Sequence, residues 1–261
     1  KHSEPILLVG IPESQLTKFV KQYLGKFVGD KIEVGTSRPG EGMIGVDAIS
    51  GATVTEIAEH QVILRSGLEV ARQVGIVKPT IRPQAKFKDI PGTLDWQALL
   101  DEGSVQELKV KADEIGQGPA GQPYIDIYFG YLNEPTIGRS VLGEHGYASL
   151  MSKLKPGEHA IFLIASGTGS FKGSGFVRGG IYDRVLVSQD IDSFTFRDLD
   201  YLNLYGIEAA GAPPYRESAI FIIRSPSFSA AYPWSLVYLA NKMDRQTGAK
   251  TFANFDKEYW L

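Results

Sequence analysis

The 261-residue chain contains no cysteine. Disulfides, thiolate nucleophiles, iron–sulfur clusters and thiolate-bound zinc are thereby excluded as chemistry of its own side chains. The absence fits a reducing cytosol and an exported domain equally. Histidine is scarce as well. His2, His60, His145 and His159 are the four, and none stands at a metal-ligand spacing such as H-x-x-x-H. No run approaches the ~18 apolar residues of a membrane span, and no signal-peptide pattern is visible. The first residue is Lys1 rather than Met, which leaves an upstream targeting segment open. There is no repeat of fixed period and no low-complexity tract. A basic stripe is lacking too: the net charge is -3 and the pI about 5.9. The short clusters Lys86-Phe-Lys88 and Lys109-Val-Lys111 read as solvated faces, so nucleic acid is not an expected partner.

What is present is an ordinary globular composition, 43% hydrophobic and 22% charged, sufficient for one large core or two smaller ones. The opening segment reads as mixed α/β. Glu4 to Gly10 is a short apolar run ending in a turn signal. Leu16, Phe19, Val20, Tyr23 and Leu24 recur at helical spacing and predict an amphipathic helix over Glu13 to Phe27, closing near Gly25 and Gly29. A glycine-rich loop follows at Arg38 to Gly42. A second helix is expected from about Val54 to Gln73, its stripe made of Ile57, Leu64, Leu68 and Ala71 beside Val54 and Ala58. Lys78-Pro-Thr-Ile-Arg-Pro83 and Ile90-Pro-Gly92 then break regular structure and mark a domain boundary, extended and stiff. The expected division is 1–78, a proline-rich linker 79–92, and 93–261. In the last part Asp95 to Lys111 should begin with a short helix and finish as a strand. Strands are expected at Tyr124 to Leu132, His159 to Ala165, Phe176 to Val187 and Ala219 to Ile223, and a helix at Ser140 to Leu154. The fold class is therefore α+β, a small α/β domain followed by a sheet-rich α+β domain whose topology the sequence leaves open.

The segment richest in chemistry is Asp47-Ala-Ile-Ser50-Gly51-Ala52-Thr53-Val-Thr55-Glu56. As plain structure, Thr53 followed three residues later by Glu56 matches a capping box at a helix start. The same geometry suits an anion. A helix N-terminus offers unpaired N–H donors and about half a positive charge, and small residues let a phosphate approach the backbone. Physical reasoning alone reaches an anion at this turn, held by or esterified to a hydroxyl.

Asp47-x-x-Ser50-Gly51-Ala52-Thr53 resembles the D-x-x-S/T-G-A-T flavinylation motif of FMN-binding domains. Such domains occur in the C subunit of the sodium-pumping NADH:quinone oxidoreductase and the G subunit of the related Rnf complex. There a flavin transferase esterifies the last Thr with FMN; by resemblance that residue is Thr53. Asp47 and Ser50 would orient the motif, Gly51 and Ala52 would make room, and Thr55 would bond the phosphate. His2-Ser-Glu4-Pro5-Ile6 is similar to the loop that lines the flavin in these domains, which adds His2, Glu4 and Pro5 to the cofactor-binding set. Taken with the proline-rich boundary and the long second half, the chain most resembles the extracytoplasmic portion of the NosR/NirI family, membrane proteins that support nitrous oxide reductase. The likeness to an FMN domain covers about residues 1–78. FMN domains usually have strands before the His-Glu-Pro loop. The chain starts at that loop, so an FMN domain shortened at its N-terminus is expected. Phe255 to Leu261, aromatic and charged, is expected to approach the membrane.

The resemblance implies an electron-transfer component rather than a stand-alone enzyme, without catalytic residues of its own. It implies covalent FMN, a position on the periplasmic side of the inner membrane, and three partners: nitrous oxide reductase or its maturation factors, a flavin transferase, and the membrane domain of the full-length protein. Two alternatives belong to other classes. One is a partner-binding or assembly module in which Thr53 is only a cap. The other is a subunit of an ion-pumping oxidoreductase, against which the long second half argues. Elsewhere, Gly167 to Gly175 misses G-x-G-x-x-G spacing by one residue and reads as a turned β-loop. Asp190, Asp192, Asp198 and Asp200 read as solvated turn residues rather than a calcium or acid–base site. Tyr201, Tyr205, Tyr215, Tyr232, Trp234 and Tyr238 read as core or interface. No metal site is expected.

Overall fold

The computed structural model describes residues 11–35, 42–49, 53–78, 82–173, 180–243 and 250–261. By its contacts the chain divides into two compact units. The first comprises Lys1–Pro79, Glu114–Gly118 and Leu239–Asn254; the second comprises Thr80–Asp113, Pro119–Tyr238 and Phe255–Leu261.

The first unit contains α1 (Glu13–Lys21), β1 (Lys31–Val34), β2 (Met43–Val46) and α2 (Thr53–Gln73). Glu13 stands in the first turn of α1 and Lys18 and Lys21 in its last, complementing the helix dipole. Leu16 packs with Ile11 and Ile49, and Phe19 with Val34 and Val46. The helix ends at Lys21, short of the expected Phe27. Past it the chain turns through Gly25, at φ +80°, and the Asp30 carboxylate accepts the Phe27 N–H at 3.2 Å. Leu24 and Phe27 therefore leave the apolar stripe, 78% and 51% exposed. β1 and β2 run parallel, Lys31 opposite Met43 and Val34 opposite Val46. In α2, Leu68 and Ala71 face inward against Val77 and Val28.

The second unit opens with residues 82–95, which have no regular structure. There follow α3 (Trp96–Asp101), β3 (Gln106–Lys111), β4 (Pro123–Tyr131), α4 (Pro135–Lys153) and β5 (His159–Gly167). β6 (Ile181–Gln189), β7 (Asp192–Arg197), β8 (Tyr201–Leu202), β9 (Glu217–Ile223), β10 (Trp234–Met243) and β11 (Lys250–Tyr259) complete the order of the chain, the part of β10 from Leu239 and the part of β11 up to Asn254 being counted in the first unit. A five-stranded sheet runs β3-β4-β5-β9-β8 and a four-stranded sheet β11-β10-β6-β7. Every neighbouring pair of the five-stranded sheet is antiparallel.

One face of that sheet is covered by helices. Trp96 and Leu99 of α3 and Ile137, Val141 and Leu150 of α4 pack with Ala160, Phe162 and Ile164 of β5 and Ile220 of β9. Residues of opposite parity face the other way and meet the four-stranded sheet. Phe129 reaches Trp234 at 5.8 Å between ring centroids, while Phe221 stacks on Phe196 at 4.5 Å and meets Tyr182 edge-on at 4.8 Å. The layers are helices, sheet, sheet. β5 lies in the middle layer, which explains its unbroken run of buried residues from His159 to Ala165.

The fold class is α+β, as the sequence reading gives. Several details differ. α4 starts at Pro135, five residues before the expected Ser140. Pro occupies its first turn and the Glu134 carboxylate accepts the Ile137 N–H at 2.7 Å. A break at Gly143, φ 70° and ψ 168°, divides it. Strands β1, β2, β7, β8, β10 and β11 were not anticipated. Asp192 and Asp200 are buried ion-pair partners, not solvated turn residues: Asp192 faces Arg82 at 3.3 Å and Asp200 faces Arg224 at 2.9 Å. Trp234 and Tyr238 are core, whereas Tyr205 and Tyr232 are exposed. After β5, the N–H groups of Thr168 and Gly169 both donate to the Tyr124 carbonyl, at 2.9 and 2.8 Å, and tie the start of the glycine-rich loop to β4. Residues 174–179 lie outside the described residues. Among the described residues no helix is long and apolar enough to cross a membrane, and no cluster of His, Asp and Glu could hold a metal ion.

Candidate functional site

The phosphate-binding reading centres on the start of α2. Val46 of β2 is buried, with Phe19 against it, and the chain leaves the strand through Asp47. The Gln22 side-chain amide spans both backbone groups of Asp47: its Oε1 accepts the Asp47 N–H at 2.9 Å and its Nε2 donates to the Asp47 carbonyl at 3.1 Å. The entry to the motif is thus fastened through backbone to the turn after α1, and Asp47 itself is exposed. Ser50, Gly51 and Ala52 lie outside the described residues, as do His2, Glu4 and Pro5 of the flavin-loop expectation. Thr53 is the first residue of the 21-residue helix α2 and Thr55 the third.

That boundary changes the part given to Glu56. It is the fourth helical residue, one position too far to close a capping box with Thr53. Glu56 is completely buried, and among the described residues neither carboxylate oxygen has a hydrogen-bond partner. Burial pushes its pKa up to about 8. The carboxyl is therefore predominantly neutral at pH 7, a donor as well as an acceptor. One turn further on, His60 Nδ1 and the Tyr23 hydroxyl form a 2.7 Å hydrogen bond, with ring centroids 5.9 Å apart. Burial holds His60 down to about 4, so the imidazole is neutral. Tyr23 is held protonated, first by burial and then, once they are ionised, by the nearby Glu56 and Glu59 carboxylates.

Thr53, Glu56 and His60 stand at i, i+3 and i+7, on one face of α2. The sequence reading attached chemistry to Thr53, treated Glu56 as a cap and found no metal-ligand spacing at His60. The spacing was the available signal for grouping them. A phosphate-bearing group is compatible with this site. The first N–H groups of a helix have no partner within it, and a fully buried acid without a hydrogen-bond partner among the described residues lies one turn away.

The second unit holds a cavity of about 550 Å³ lined by Lys86, Phe87, Glu102, Ser104 and Glu134 among others. Nearby, the Tyr131 hydroxyl and His159 Nδ1 are 2.7 Å apart, Phe87 packs on Tyr131 at 5.7 Å, and the Tyr259 hydroxyl donates to the Ser104 carbonyl at 3.0 Å. Burial lowers His159 to about 4. The buried aromatic packing of His159, including a ring contact with Phe228 at 4.9 Å, marks it as a core residue.

No protein-family model matches the chain, and no solved structure matches it. Curated proteins do. The chain is 40% identical over 278 residues to the regulatory protein NosR of Pseudomonas aeruginosa, covering 98% of this chain and 38% of that protein. It is 37% identical over 281 residues to the regulatory protein NosR of Stutzerimonas stutzeri, covering 99% of this chain and again 38% of the relative. With the protein NirI of Paracoccus denitrificans the identity is 25% over 230 residues, 85% of this chain and 32% of the relative. The chain thus spans under two-fifths of the length of these relatives, yet nearly all of it aligns with both NosR proteins, and it belongs to the NosR/NirI family.

Proposed function

We propose that this chain is the extracytoplasmic electron-transfer portion of a NosR/NirI protein and carries one FMN as a phosphoester on Thr53. The observation that supports this best is the coincidence of a complete D-x-x-S-G-A-T motif with the first residue of α2. FMN exchanges electrons singly or in pairs and so links one- and two-electron partners. Thr53 supplies the ester oxygen. Ser50, Gly51 and Ala52 keep the approach to the helix start small, and Thr55 offers a hydroxyl in the first turn. The Gln22 amide fixes the backbone of Asp47 and with it the path into the motif. His2, Glu4 and Pro5 complete the flavin-binding set on the strength of the resemblance. The partners follow from the family: a flavin transferase, the membrane domain of the whole protein, and nitrous oxide reductase or its maturation factors, on the periplasmic side of the inner membrane.

The designation of two relatives as regulatory proteins favours a second reading, a partner-binding module without a redox group. Thr53→Val separates the two. Co-expressed with a flavin transferase in exported form, the wild-type chain should show flavin fluorescence that survives denaturing electrophoresis. Thr53→Val should lose all of it with an unchanged circular dichroism spectrum. A variant that remains fully loaded contradicts the assignment of Thr53. A wild-type chain that never loads but binds the reductase favours the second reading.

A further inference from the structure

We propose that Glu56, as a neutral carboxylic acid, donates a hydrogen bond to the phosphate group carried at the start of α2. The inference rests on the assignment of Thr53 as the flavinylated residue and adds a specific partner for the linkage.

A helix start by itself does not select a ligand. Glu56 supplies the independent observation, because it is fully buried and both its oxygens are without partners among the described residues. Leaving a buried polar group unsatisfied costs about 1–3 kcal/mol, and such groups in native proteins call for an explanation. Position supplies one. Glu56 lies one turn from Thr53 on the same face, and its Cα–Cβ bond, like every one in a helix, tilts toward the N-terminus and so toward the turn that begins with Thr53. The neighbouring groups do not compete for this proton. Tyr23, from the turn after α1, is engaged with His60 Nδ1. His60 is neutral, and Glu59 is a further carboxylate facing Tyr23.

FMN joined to Thr53 through its phosphate forms a phosphodiester with one negative charge. An ionised Glu56 would repel it, whereas a protonated Glu56 presents an O–H to an anionic oxygen, a charge-assisted bond. Proton binding at Glu56 and seating of the phosphate are therefore linked and reinforce each other. Burial is the cause of the raised Glu56 pKa.

The test is phosphorus-31 NMR of the full chain loaded in the presence of a flavin transferase, titrated from pH 6 to 10. A phosphodiester has no ionisation of its own in that window, so an inflection reports a neighbour. The wild type should show one at or above about pH 8, the value for Glu56 before the anion's effect is added. Glu56→Gln, whose amide can still donate, should remain loaded and give a flat profile, while His60→Gln should retain the inflection. A flat wild-type profile, or an unchanged inflection in Glu56→Gln, overturns the role of Glu56 and leaves the ester on Thr53 standing. Absence of any diester resonance overturns the flavin assignment and this inference together. Should Glu56→Gln fail to load, carbon-13 labelling of glutamate carboxyls in the wild type keeps the test decisive. One carboxyl must then titrate with the phosphorus midpoint, and the absence of such a carboxyl overturns the inference.

Discussion

Replacing Arg82 with methionine is expected to destabilise the second unit by about 3–5 kcal/mol, the usual cost of removing one member of a buried ion pair. The Arg82 side chain is 2% exposed and its partners are numerous. One nitrogen faces Asp192 at 3.3 Å and donates to the Ser227 carbonyl; the other reaches Asp190 at 2.6 Å and the Gln189 carbonyl at 3.4 Å. The substitution removes the guanidinium from beside a carboxylate whose side chain is only 6% exposed. It also releases the stretch in which Gln84 donates to the Phe228 carbonyl at 3.0 Å and Ser229 donates to the Pro83 carbonyl at 2.5 Å. All three tryptophans, Trp96, Trp234 and Trp260, belong to the second unit, so urea unfolding followed by tryptophan fluorescence reads it directly. Lys86→Met, on an exposed residue of the same stretch, should shift stability by less than about 0.5 kcal/mol. A shift of that size for Arg82→Met would contradict the role given to the buried guanidinium.

The second large effect is a pH dependence of the first unit with opposite slopes on its two sides. Glu56 has a folded pKa of about 8 against an ordinary value of 4.5. An acid raised on folding contributes stability that is fully present below the unfolded value and is lost as pH rises through the folded one. His60 is lowered from 6.5 to about 4, so its contribution is present above 6.5 and lost as pH falls toward 4. Between pH 6.5 and 8 the Glu56 slope stands alone. At about 1.4 kcal/mol per pH unit, less some solvent screening, the first unit should lose about 1–2 kcal/mol across that interval. Protection of the α2 backbone amides against hydrogen exchange, corrected for intrinsic rates, measures it in the unloaded chain. Glu56→Gln should flatten this limb and uncover the rising His60 slope between pH 4.5 and 6.5, which Glu56 offsets in the wild type. A wild-type chain with constant α2 protection from pH 6.5 to 8 would show that Glu56 does not hold its proton.

The parts of the fold that were legible in the sequence are those set by local pattern. Helix α2 begins where Gly51-Ala-Thr53 ends, and β5 shows as an apolar run. The termination of α1 was not legible from periodicity, because Tyr23 and Leu24 continue the stripe while Gly25 turns the backbone away. Strand β10 carries a clean alternation of Trp234, Leu236, Tyr238 and Ala240 inward, yet its aromatic residues were read as core or interface without a strand to carry them. β7 was hidden by its flanking aspartates. The burial of Asp192 and Asp200 depends on cations 110 and 24 residues away, and no local signal announces such a partner. At the candidate site the motif pointed to Thr53, but the burial of Glu56 and its lack of partners are properties of packing. Only the i, i+3, i+7 spacing of Thr53, Glu56 and His60 was there to be read.

The central claim is a single FMN ester on Thr53, and intact mass with peptide mapping tests it most directly. The exported chain, produced with and without a flavin transferase, should differ by the mass of one FMN phosphoester, located on the peptide that holds Thr53. Equal masses in the two preparations, or a flavin mapped to any other residue, would contradict it.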